Sequence, residues 1–250
     1  TSILVVGLGL NLVSISSVHA AGNVQASQVD GYLIITGDNH DNNIIVTETG
    51  LIGRAGTLIN GVSNYYNGAG TWESLNIKMK GGNDFVRIDR LGAINSNRPF
   101  LGDLKINTGE GDDTIELLET HVRNETRINT ESGNDILFID GVHHYSVASN
   151  DGFTKSTFKG KFWVDTGKDD DLVELDGAMF NGDVQINLSK GNDFVCFNSG
   201  SIYNNLVSAN GGKGNDHYSL NNFGAGHPNL TDIEGEGDDC TAYGGGRFPG

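Results

Sequence analysis

Basic residues, proline and cysteine are all scarce in this chain of 250 residues. Lysine and arginine together number 16 against 32 aspartates and glutamates, which gives a formal net charge of −16. A surface this acidic repels nucleic acid and anionic lipid and attracts cations, so we exclude nucleic-acid binding. Only 3 prolines accompany 37 glycines. Because glycine supplies the positive φ of tight turns, this composition favours one turn-rich β domain over a helical domain.

The first residues form an apolar run that ends in Val18-His19-Ala20. Small or apolar residues at the third-last and last positions before Ala21 are typical of a secretory cleavage site. The alternatives are a first strand or a membrane anchor, but the run is short for a membrane span and Asn11 interrupts it. We therefore predict a signal peptide at 1–20, truncated at its start, and a secreted protein of the extracellular space or cell surface. No membrane span is expected in the mature chain.

A glycine-rich turn that ends in aspartate recurs along the chain, most fully in GGKGNDHYSL at 211–220. The repeated aspartates are Asp84, Asp113, Asp135, Asp171, Asp193, Asp216 and Asp239. Successive members are separated by 29, 22, 36, 22, 23 and 23 residues, so the base period is about 22. A fixed period of this length indicates a solenoid.

Apolar residues alternate with polar ones on both sides of each aspartate. Two and four residues after it stand Val86/Ile88, Ile115/Leu117, Leu137/Ile139, Val173/Leu175 and Val195/Phe197. Nine and seven residues before it stand Leu75/Ile77, Leu104/Ile106, Phe162/Val164 and Val184/Ile186. A third apolar patch follows in several units, at His121-Val122, Met179-Phe180 and Ile202-Tyr203. Three short strands per turn of about 22 residues predict an all-β fold, a right-handed parallel β-helix without long helices.

The period also predicts the domain organisation. We expect an N-terminal cap with irregular first coils over 21–80, since a solenoid needs cover for its first open edge, and the β-helix over 81–250. Within the cap, GYLIITGDNHDNNIIV matches the repeat with Asn43 in the aspartate position. The longest gap predicts an insertion at 141–160. Polar residues recur six positions before the aspartates, at Asn107, Asn129, Asp165, Asn187 and Asn210. These side chains are expected to stack, with amides bonded from coil to coil.

The turns resemble the hemolysin-type calcium-binding repeats of the RTX family, whose consensus is G-G-x-G-x-D-x-U-x. Residues 211–219 match every fixed position if Tyr218 counts as apolar, whereas 108–116 and 234–242 lack the first glycine. The resemblance implies that loop carbonyls and aspartate carboxylates coordinate Ca²⁺. The implied ligands are Asp113, Asp135, Asp193, Asp216 and Asp239, and Asp84 and Asp171 extend the predicted metal site. RTX repeats run in tandem every nine residues, but this chain has one such loop in about 22. It is therefore more similar overall to secreted bacterial parallel β-helix proteins.

The negative charges of stacked aspartates must be compensated, whether or not the chain belongs to that family. Carboxylates stacked about 4.8 Å apart repel by roughly 0.9 kcal/mol per neighbour in water and by about 3.5 kcal/mol at an effective dielectric of 20. A cation, a proton or hydrogen bonds from turn amides would offset this repulsion. Ca²⁺ accepts sites made only of oxygen ligands. The alternative is a turn without metal, in which the aspartate bonds to loop N–H groups.

Two functions are compatible with these features. The first is a secreted, calcium-binding structural or adhesive β-helix protein of the cell surface or extracellular matrix. The second is a carbohydrate-active enzyme, a polysaccharide lyase or hydrolase, since such enzymes use paired carboxylates and the cluster at 168–171 with Glu174 is strongly acidic. Lysine and arginine show no clustering in the sequence, which favours the structural or adhesive function over the enzyme. The pair His143-His144 has no second Cys or His group at metal spacing, which argues against zinc.

The expected partners are an extracellular polysaccharide, a surface protein or a second copy of the chain. The residue after each aspartate should point outward, yet Phe85, Ile136, Leu172 and Phe194 are apolar there. An exposed apolar stripe predicts self-association, unless the cap or the insertion covers it.

The two cysteines are expected to be free. Cys196 and Cys240 follow aspartates that are two coils apart. That separation corresponds to about 9.6 Å, beyond the roughly 7 Å that a disulfide allows between Cα atoms.

Overall fold

The computed structural model describes residues 22–65, 72–91, 101–140, 155–198, 200–220 and 230–231, which form strands and turns but no helix. Within these ranges no helix is long and apolar enough to cross a membrane. The strands are β1 Asn23–Val29, β2 Tyr32–Thr36, β3 Asn43–Val46, β4 Leu51–Gly53, β5 Leu58–Ile59, β6 Asn64–Tyr65, β7 Ser74–Lys78, β8 Phe85–Asp89, β9 Leu104–Asn107, β10 Thr114–Leu118, β11 His121–Val122, β12 Thr126–Asn129, β13 Ile136–Asp140, β14 Thr157–Phe158, β15 Phe162–Asp165, β16 Leu172–Leu175, β17 Met179–Phe180, β18 Val184–Asn187, β19 Phe194–Phe197, β20 Ile202–Tyr203, β21 Val207–Asn210, β22 His217–Leu220 and β23 Leu230–Thr231.

The strands form three sheets that the chain visits in turn. The first sheet has the order β23-β21-β18-β15-β12-β9-β7-β2-β1-β5, the second β22-β19-β16-β13-β10-β8-β3-β4-β6, and the third β11-β14-β17-β20. Each repeat comprises a strand of the first sheet, a turn, and a strand of the second sheet. Every described pairing from β7 onward is parallel. The prediction of an all-β fold with parallel sheets is confirmed at this level.

The register follows the aspartates. Strands β8, β10, β13, β16 and β19 each begin at the residue after one of them. Val86 pairs with Ile115, and Ile115 pairs with Leu137, so the alternating apolar residues fall in shared columns. The third apolar patch forms β11, β17 and β20, as predicted. Thr157 and Phe158, inside the predicted insertion at 141–160, form β14 of the third sheet, whereas 141–154 lie outside the described residues.

The first strands differ from the rest because several pair antiparallel. Strand β1 is antiparallel to β2, and β4 is antiparallel to both β3 and β6. Asn43 pairs with Phe85, so the residue opposite Asp84 is Asn42. The prediction that Asn43 occupies the aspartate position is therefore wrong by one residue. The side chain of Asn42 is fully buried at the end of the turn, and Asn43 already belongs to β3.

The polar residues six positions before the aspartates do share one column of the first sheet. Asn107 pairs with Asn129, and the column continues through Asp165 and Asn187 to Asn210. Their side chains bond elsewhere: Asn107 Nδ2 donates to Glu131 Oε1 at 2.7 Å, and Asn187 Nδ2 donates to Ser189 Oγ at 3.0 Å. The expectation of amides bonded to one another is thus wrong for these two residues, because a side chain of the adjoining turn lies within reach.

The core runs between the sheets and includes a stack of aromatic rings. The rings of Phe158 and Phe180 lie 5.2 Å apart at 15°, and those of Phe180 and Tyr203 lie 5.1 Å apart at 2°. Phe162 meets Phe180 edge-on at 5.0 Å. Offset-stacked and edge-to-face pairs stabilise a core beyond the area that they bury. The register of the third sheet thus fixes an aromatic column inside the protein.

Cys196, in β19, is 2% exposed and disulfide-bonded. The prediction of a free thiol at Cys196 is therefore wrong. A disulfide needs its Cα atoms within about 7 Å, so the spacing of about 9.6 Å behind that prediction does not apply to Cys196. Cys240 lies outside the described residues.

The aromatic stack predicts a large effect of truncation. We expect Phe180→Ala to lower the free energy of unfolding by about 3–5 kcal/mol, because it removes a ring that contacts three others. Ile202→Ala is the control, since Ile202 is 41% exposed in the adjacent strand, and its effect should stay within about 0.5 kcal/mol. Urea unfolding followed by circular dichroism measures both variants. Equal losses in the two would contradict the stack as a core element.

Candidate functional site

The predicted aspartates lie at one edge of the molecule, where the turns of successive repeats stack. Backbone bridges link these turns in register: Gly81 to Glu110, and onward through Ser132, Lys168 and Lys190 to Lys213. The six described aspartates are Asp84, Asp113, Asp135, Asp171, Asp193 and Asp216, and each directly precedes a strand of the second sheet. Asp239, the seventh predicted ligand, lies outside the described residues. The repeats therefore bring six predicted site residues into one column.

Each carboxylate of this column accepts a hydrogen bond from the backbone of the preceding repeat. The backbone N–H of Asp84 donates to Asp113 Oδ1 at 2.7 Å, and that of Asp113 donates to Asp135 Oδ1 at 2.8 Å. The same bond joins Asp135 to Asp171 at 2.9 Å, Asp171 to Asp193 at 2.8 Å and Asp193 to Asp216 at 3.1 Å. Asn42 begins the series by donating its N–H to Asp84 Oδ1 at 2.7 Å. We call this series, from Asn42 to Asp216, the inner ladder.

The inner ladder is buried. Five of its carboxyl groups belong to side chains only 1–3% exposed, and in each of these five the second oxygen, Oδ2, is buried without a hydrogen-bond partner within the described residues. These five are Asp84, Asp113, Asp135, Asp171 and Asp193. A buried carboxylate oxygen without a partner is costly, which favours the protonated form of these groups or a cation beside them.

Burial raises the pKa of all five carboxyls. The pKa of Asp84 rises to about 7, of Asp113 to about 6, of Asp135 to about 8, of Asp171 to about 6 and of Asp193 to about 7. Desolvation is the largest cause in each case. The threonine hydroxyls of Thr108, Thr130 and Thr166 act in the opposite direction on the pKa of Asp113, Asp135 and Asp171, as do the backbone N–H groups of the ladder. Neighbouring carboxylates raise the pKa further. At neutral pH the inner ladder therefore carries both protonated and ionised carboxyls.

A second series of bonds connects the exposed residues that precede the aspartates. This outer ladder consists of Asp41, Asn83, Asp112, Asn134, Asp170, Asn192 and Asn215. Its bonds run in the opposite direction, because the side-chain Oδ1 of each repeat accepts the backbone N–H of the following repeat. Asp41 accepts from Asn83 at 2.8 Å, Asn83 from Asp112 at 3.1 Å, Asp112 from Asn134 at 2.8 Å, Asn134 from Asp170 at 3.1 Å, Asp170 from Asn192 at 2.7 Å and Asn192 from Asn215 at 3.1 Å.

Aspartate and asparagine alternate along the outer ladder as far as Asn192. The alternation keeps its charged side chains two repeats apart, roughly 9.6 Å, which weakens their mutual repulsion. Sequence reasoning missed these residues because it followed only the aspartate at the end of each turn. The signal was present in the alternating Asn-Asp and Asp-Asp dipeptides.

Glycine is required where neighbouring turns pack closely. Gly133 has φ +125°, and a Cβ there would lie 2.1 Å from the carbonyl oxygen of Gly111. The backbone N–H of Gly111 in turn donates to the carbonyl of Ser132 at 2.8 Å. A larger residue would separate the two turns and break this bond.

The turns offer few free oxygens to a calcium ion. Ca²⁺ takes six to eight oxygen ligands, and no group of three or more His, Cys, Asp and Glu side chains in the described ranges is arranged to hold a metal. The carbonyls of Ser132 and Lys213 accept backbone N–H groups at 2.8 and 2.9 Å. One oxygen of each inner-ladder carboxyl accepts a backbone N–H, and the described geometry fits a proton on the other more closely than a calcium ion. Calcium binding by this column stays a prediction.

The remaining predicted features are also placed. Phe85, Ile136, Leu172 and Phe194 share one column of the second sheet with Thr114 and His217, and all are half-buried. The rings of Phe194 and His217 stack at 5.0 Å.

In the acidic cluster, Asp169 and Asp170 are exposed, whereas Glu174 is 8% exposed and accepts a hydrogen bond from Asn198 Nδ2 at 2.7 Å. His143 and His144 lie outside the described residues.

Comparison of the chain with protein-family models, with curated proteins and with solved structures gives no match. A functional argument for this chain therefore depends on its own repeats and side-chain geometry.

The raised pKa values predict that the protein loses stability as the pH rises. In the unfolded chain these carboxyls titrate near 3.9, so between about pH 4 and 8 the folded state binds more protons than the unfolded state. Their contribution to stability is complete below about pH 4 and is lost as the pH rises through 6 to 8. Without divalent cations, we expect the melting temperature to fall from pH 5 to pH 8 by several degrees, at about 2–4 °C per kcal/mol.

A matched pair of substitutions separates the inner ladder from the general surface charge. Asp135→Asn keeps an oxygen acceptor for the N–H of Asp113 and cannot ionise, so it should flatten the pH dependence and raise stability at pH 8. Asp183→Asn removes an exposed carboxylate before β18, outside both ladders, and should leave the slope unchanged. Differential scanning fluorimetry over this pH range measures all three proteins. A melting temperature that rises from pH 5 to 8, or equal slopes in both variants, would contradict a protonated inner ladder.

Proposed function

We propose that this chain is a secreted, right-handed parallel β-helix with coils of about 22 residues and an N-terminal cap over 21–80, and that its role is structural or adhesive. The observation that carries this proposal is the inner ladder, which joins the described repeats from Asn42 to Asp216 through side chains that are buried as far as Asp193. The chain passes through the three sheets in turn, which supports a helical winding of the backbone. The bonded residues Asp113 and Asp135 lie 22 positions apart in the sequence, which supports the proposed coil length.

Polar groups at the turn edge form hydrogen bonds from one repeat to the next, and this bonding supports a structural role. The inner ladder bonds Oδ1 of each aspartate, the outer ladder bonds the residue before it, and the backbone bridges join the turns themselves. Such bonding holds repeats at a spacing of about 4.8 Å and produces a rod with a long, regular surface. An elongated rod of this kind is suited to attachment at a cell surface or in a matrix.

Export of the protein has independent support. Disulfides form and persist in oxidising compartments, and Cys196 is disulfide-bonded. The apolar segment before Ala21 is typical of a signal peptide. We therefore propose an extracellular or cell-surface location.

Calcium is part of the proposal as a ligand that replaces protons on the inner ladder. Above the raised pKa values, the Oδ2 atoms carry charge and require a cation instead. The residues that would hold Ca²⁺ are the column of aspartates, and its contribution would be to neutralise their charge between repeats. Binding should therefore grow stronger as the pH rises.

The carbohydrate-active alternative has one observation in its favour. Lys105, Arg127 and Trp163 occupy one column of the first sheet, with the Arg127 guanidinium 4.9 Å from the centre of the Trp163 ring. Basic side chains are thus adjacent in space where the sequence showed no clustering. Cleavage of a polysaccharide by the purified chain, abolished by Arg127→Ala, would support the enzyme over the structural role.

The calcium proposal predicts that chelation destabilises the protein at high pH. With free Ca²⁺ at about 100 times its dissociation constant, binding to the folded state adds about 2.7 kcal/mol. We expect addition of EGTA to lower the melting temperature at pH 8 and to have little effect at pH 5. Asp193→Asn should reduce the effect of EGTA, whereas Asp183→Asn, an exposed aspartate before β18, should leave it intact. Identical melting at pH 8 with calcium and with EGTA would reject calcium and leave the structural role.

Self-association of the rod is proposed through the apolar stripe, the column of Phe85, Ile136, Leu172 and Phe194. Its half-buried apolar side chains lie in register along the second sheet. We expect sedimentation velocity to show a mass that grows with concentration, and Phe194→Ser to reduce this growth. Phe138→Ser, at a half-buried position of another column in the same sheet, is the matched control. A monomer at every concentration would exclude this contact.

A further inference from the structure

Three lysines occupy the same position in three consecutive turns. Lys168 bridges to Lys190, and Lys190 bridges to Lys213, through parallel backbone pairing. We call these three residues the lysine row. In the preceding repeats the same position holds Gly81, Glu110 and Ser132. The row is therefore a local cationic feature of a chain whose formal net charge is −16.

The lysine row has no internal counter-charge at close range. All three side chains are exposed, and none forms an ion pair with a carboxylate of the described residues within 4.0 Å. Of the exposed carboxylates in the adjoining turn, Asp170 accepts the N–H and the amide of Asn192 at 2.7 and 3.2 Å, and Asp169 lies beside it. Like charges directly opposite one another on paired backbone are destabilising. The row thus keeps a repulsive arrangement that an external anion would relieve.

The arrangement of these charges points to a linear partner. Backbone pairing holds the three lysines in single file at roughly 4.8 Å per repeat. We propose that the lysine row binds a linear polysaccharide that carries carboxylates on its successive sugar units. This inference gives the proposed adhesive role a partner class and rests on that role. Each ammonium has three donors for carboxylate or hydroxyl oxygens, and the adjacent Asn192 and Asn215 side chains are exposed beside them.

The turn edge favours a polysaccharide over a single-stranded nucleic acid. Proteins that bind single strands combine a positive groove with aromatic side chains on which bases stack. The described turn positions at 80–83, 109–112, 131–134, 167–170, 189–192 and 212–215 hold only Gly, Asn, Asp, Ser, Glu and Lys. Carboxylates farther than about 8 Å from the row are screened at physiological salt, so the opposing charges that act on it are those of the adjoining turn, Asp169 and Asp170.

The experiment uses the full chain in EGTA, with isothermal titration calorimetry against sodium polygalacturonate. Dextran, dextran sulfate and single-stranded DNA serve as neutral, sulfated and nucleic-acid comparisons. The test variant is K168Q/K190Q/K213Q. The matched control is R123Q/K159Q/K161Q, which removes the same charge at exposed positions between the third and first sheets. We expect the wild type to bind polygalacturonate and not dextran, with affinity that falls between about 50 and 200 mM salt. The row variant should lose about tenfold or more in affinity, and the control less than twofold.

A melting curve of each variant distinguishes lost binding from lost folding. Removal of like charges should leave the melting temperature of the row variant equal to or above that of the wild type. Absence of binding to polygalacturonate at low salt, equal losses in both variants, or equal binding to dextran would overturn the inference. Stronger binding of DNA would also overturn it. A preference for dextran sulfate would overturn the assignment of carboxylate as the group that the lysine row binds. If the lysine row does not bind polygalacturonate, the effects of pH and EGTA on the melting temperature are unchanged. This outcome is therefore distinguishable from failure of the proposed structural role.

Discussion

The hydrogen bond from the backbone N–H of one aspartate to the carboxylate of the next is the contact on which the other features depend. Its donor is the residue that directly precedes a strand of the second sheet, and its acceptor is the equivalent residue one repeat later. A slip of one residue would remove the acceptor and would also turn the apolar face of the strand outward. The same bond therefore fixes the register of the inward columns and, through it, the stacking of Phe158, Phe180 and Tyr203.

The two ladders handle negative charge in different ways. Within the inner ladder, burial raises the pKa values, so adjacent carboxyls need not all be ionised at neutral pH. Along the outer ladder the side chains are exposed, and alternation with asparagine separates the charged residues instead. Asparagine and aspartate serve equally well as acceptors of a backbone N–H. Both arrangements reduce the repulsion between aspartates of adjacent turns in this acidic chain.

Much of the fold was predictable because its signals are local. Alternating residues such as Val86 and Ile88 specify a strand with one face inward, and glycines before an aspartate specify a turn, so their recurrence revealed the repeat. The depth of burial of Asp135 was not predictable, since it depends on how neighbouring turns pack over it. The shift from Asn43 to Asn42 follows from pairing with β8, which no local pattern reports. The bond between Asn107 and Glu131 and the disulfide at Cys196 likewise depend on contacts between distant segments.

The inner ladder has a polarity with consequences for how such a chain lengthens. Every repeat supplies one N–H donor toward the repeat that follows and one carboxylate acceptor toward the repeat that precedes it. Duplication or deletion of a whole repeat inside the stack therefore leaves each interior donor with an acceptor. The N-terminal end of the described ladder is closed by neutral Asn42, which donates its backbone N–H and its side-chain amide to Asp84 without adding a charge. The number of stacked turns is thus a variable that duplication of whole repeats can change one repeat at a time.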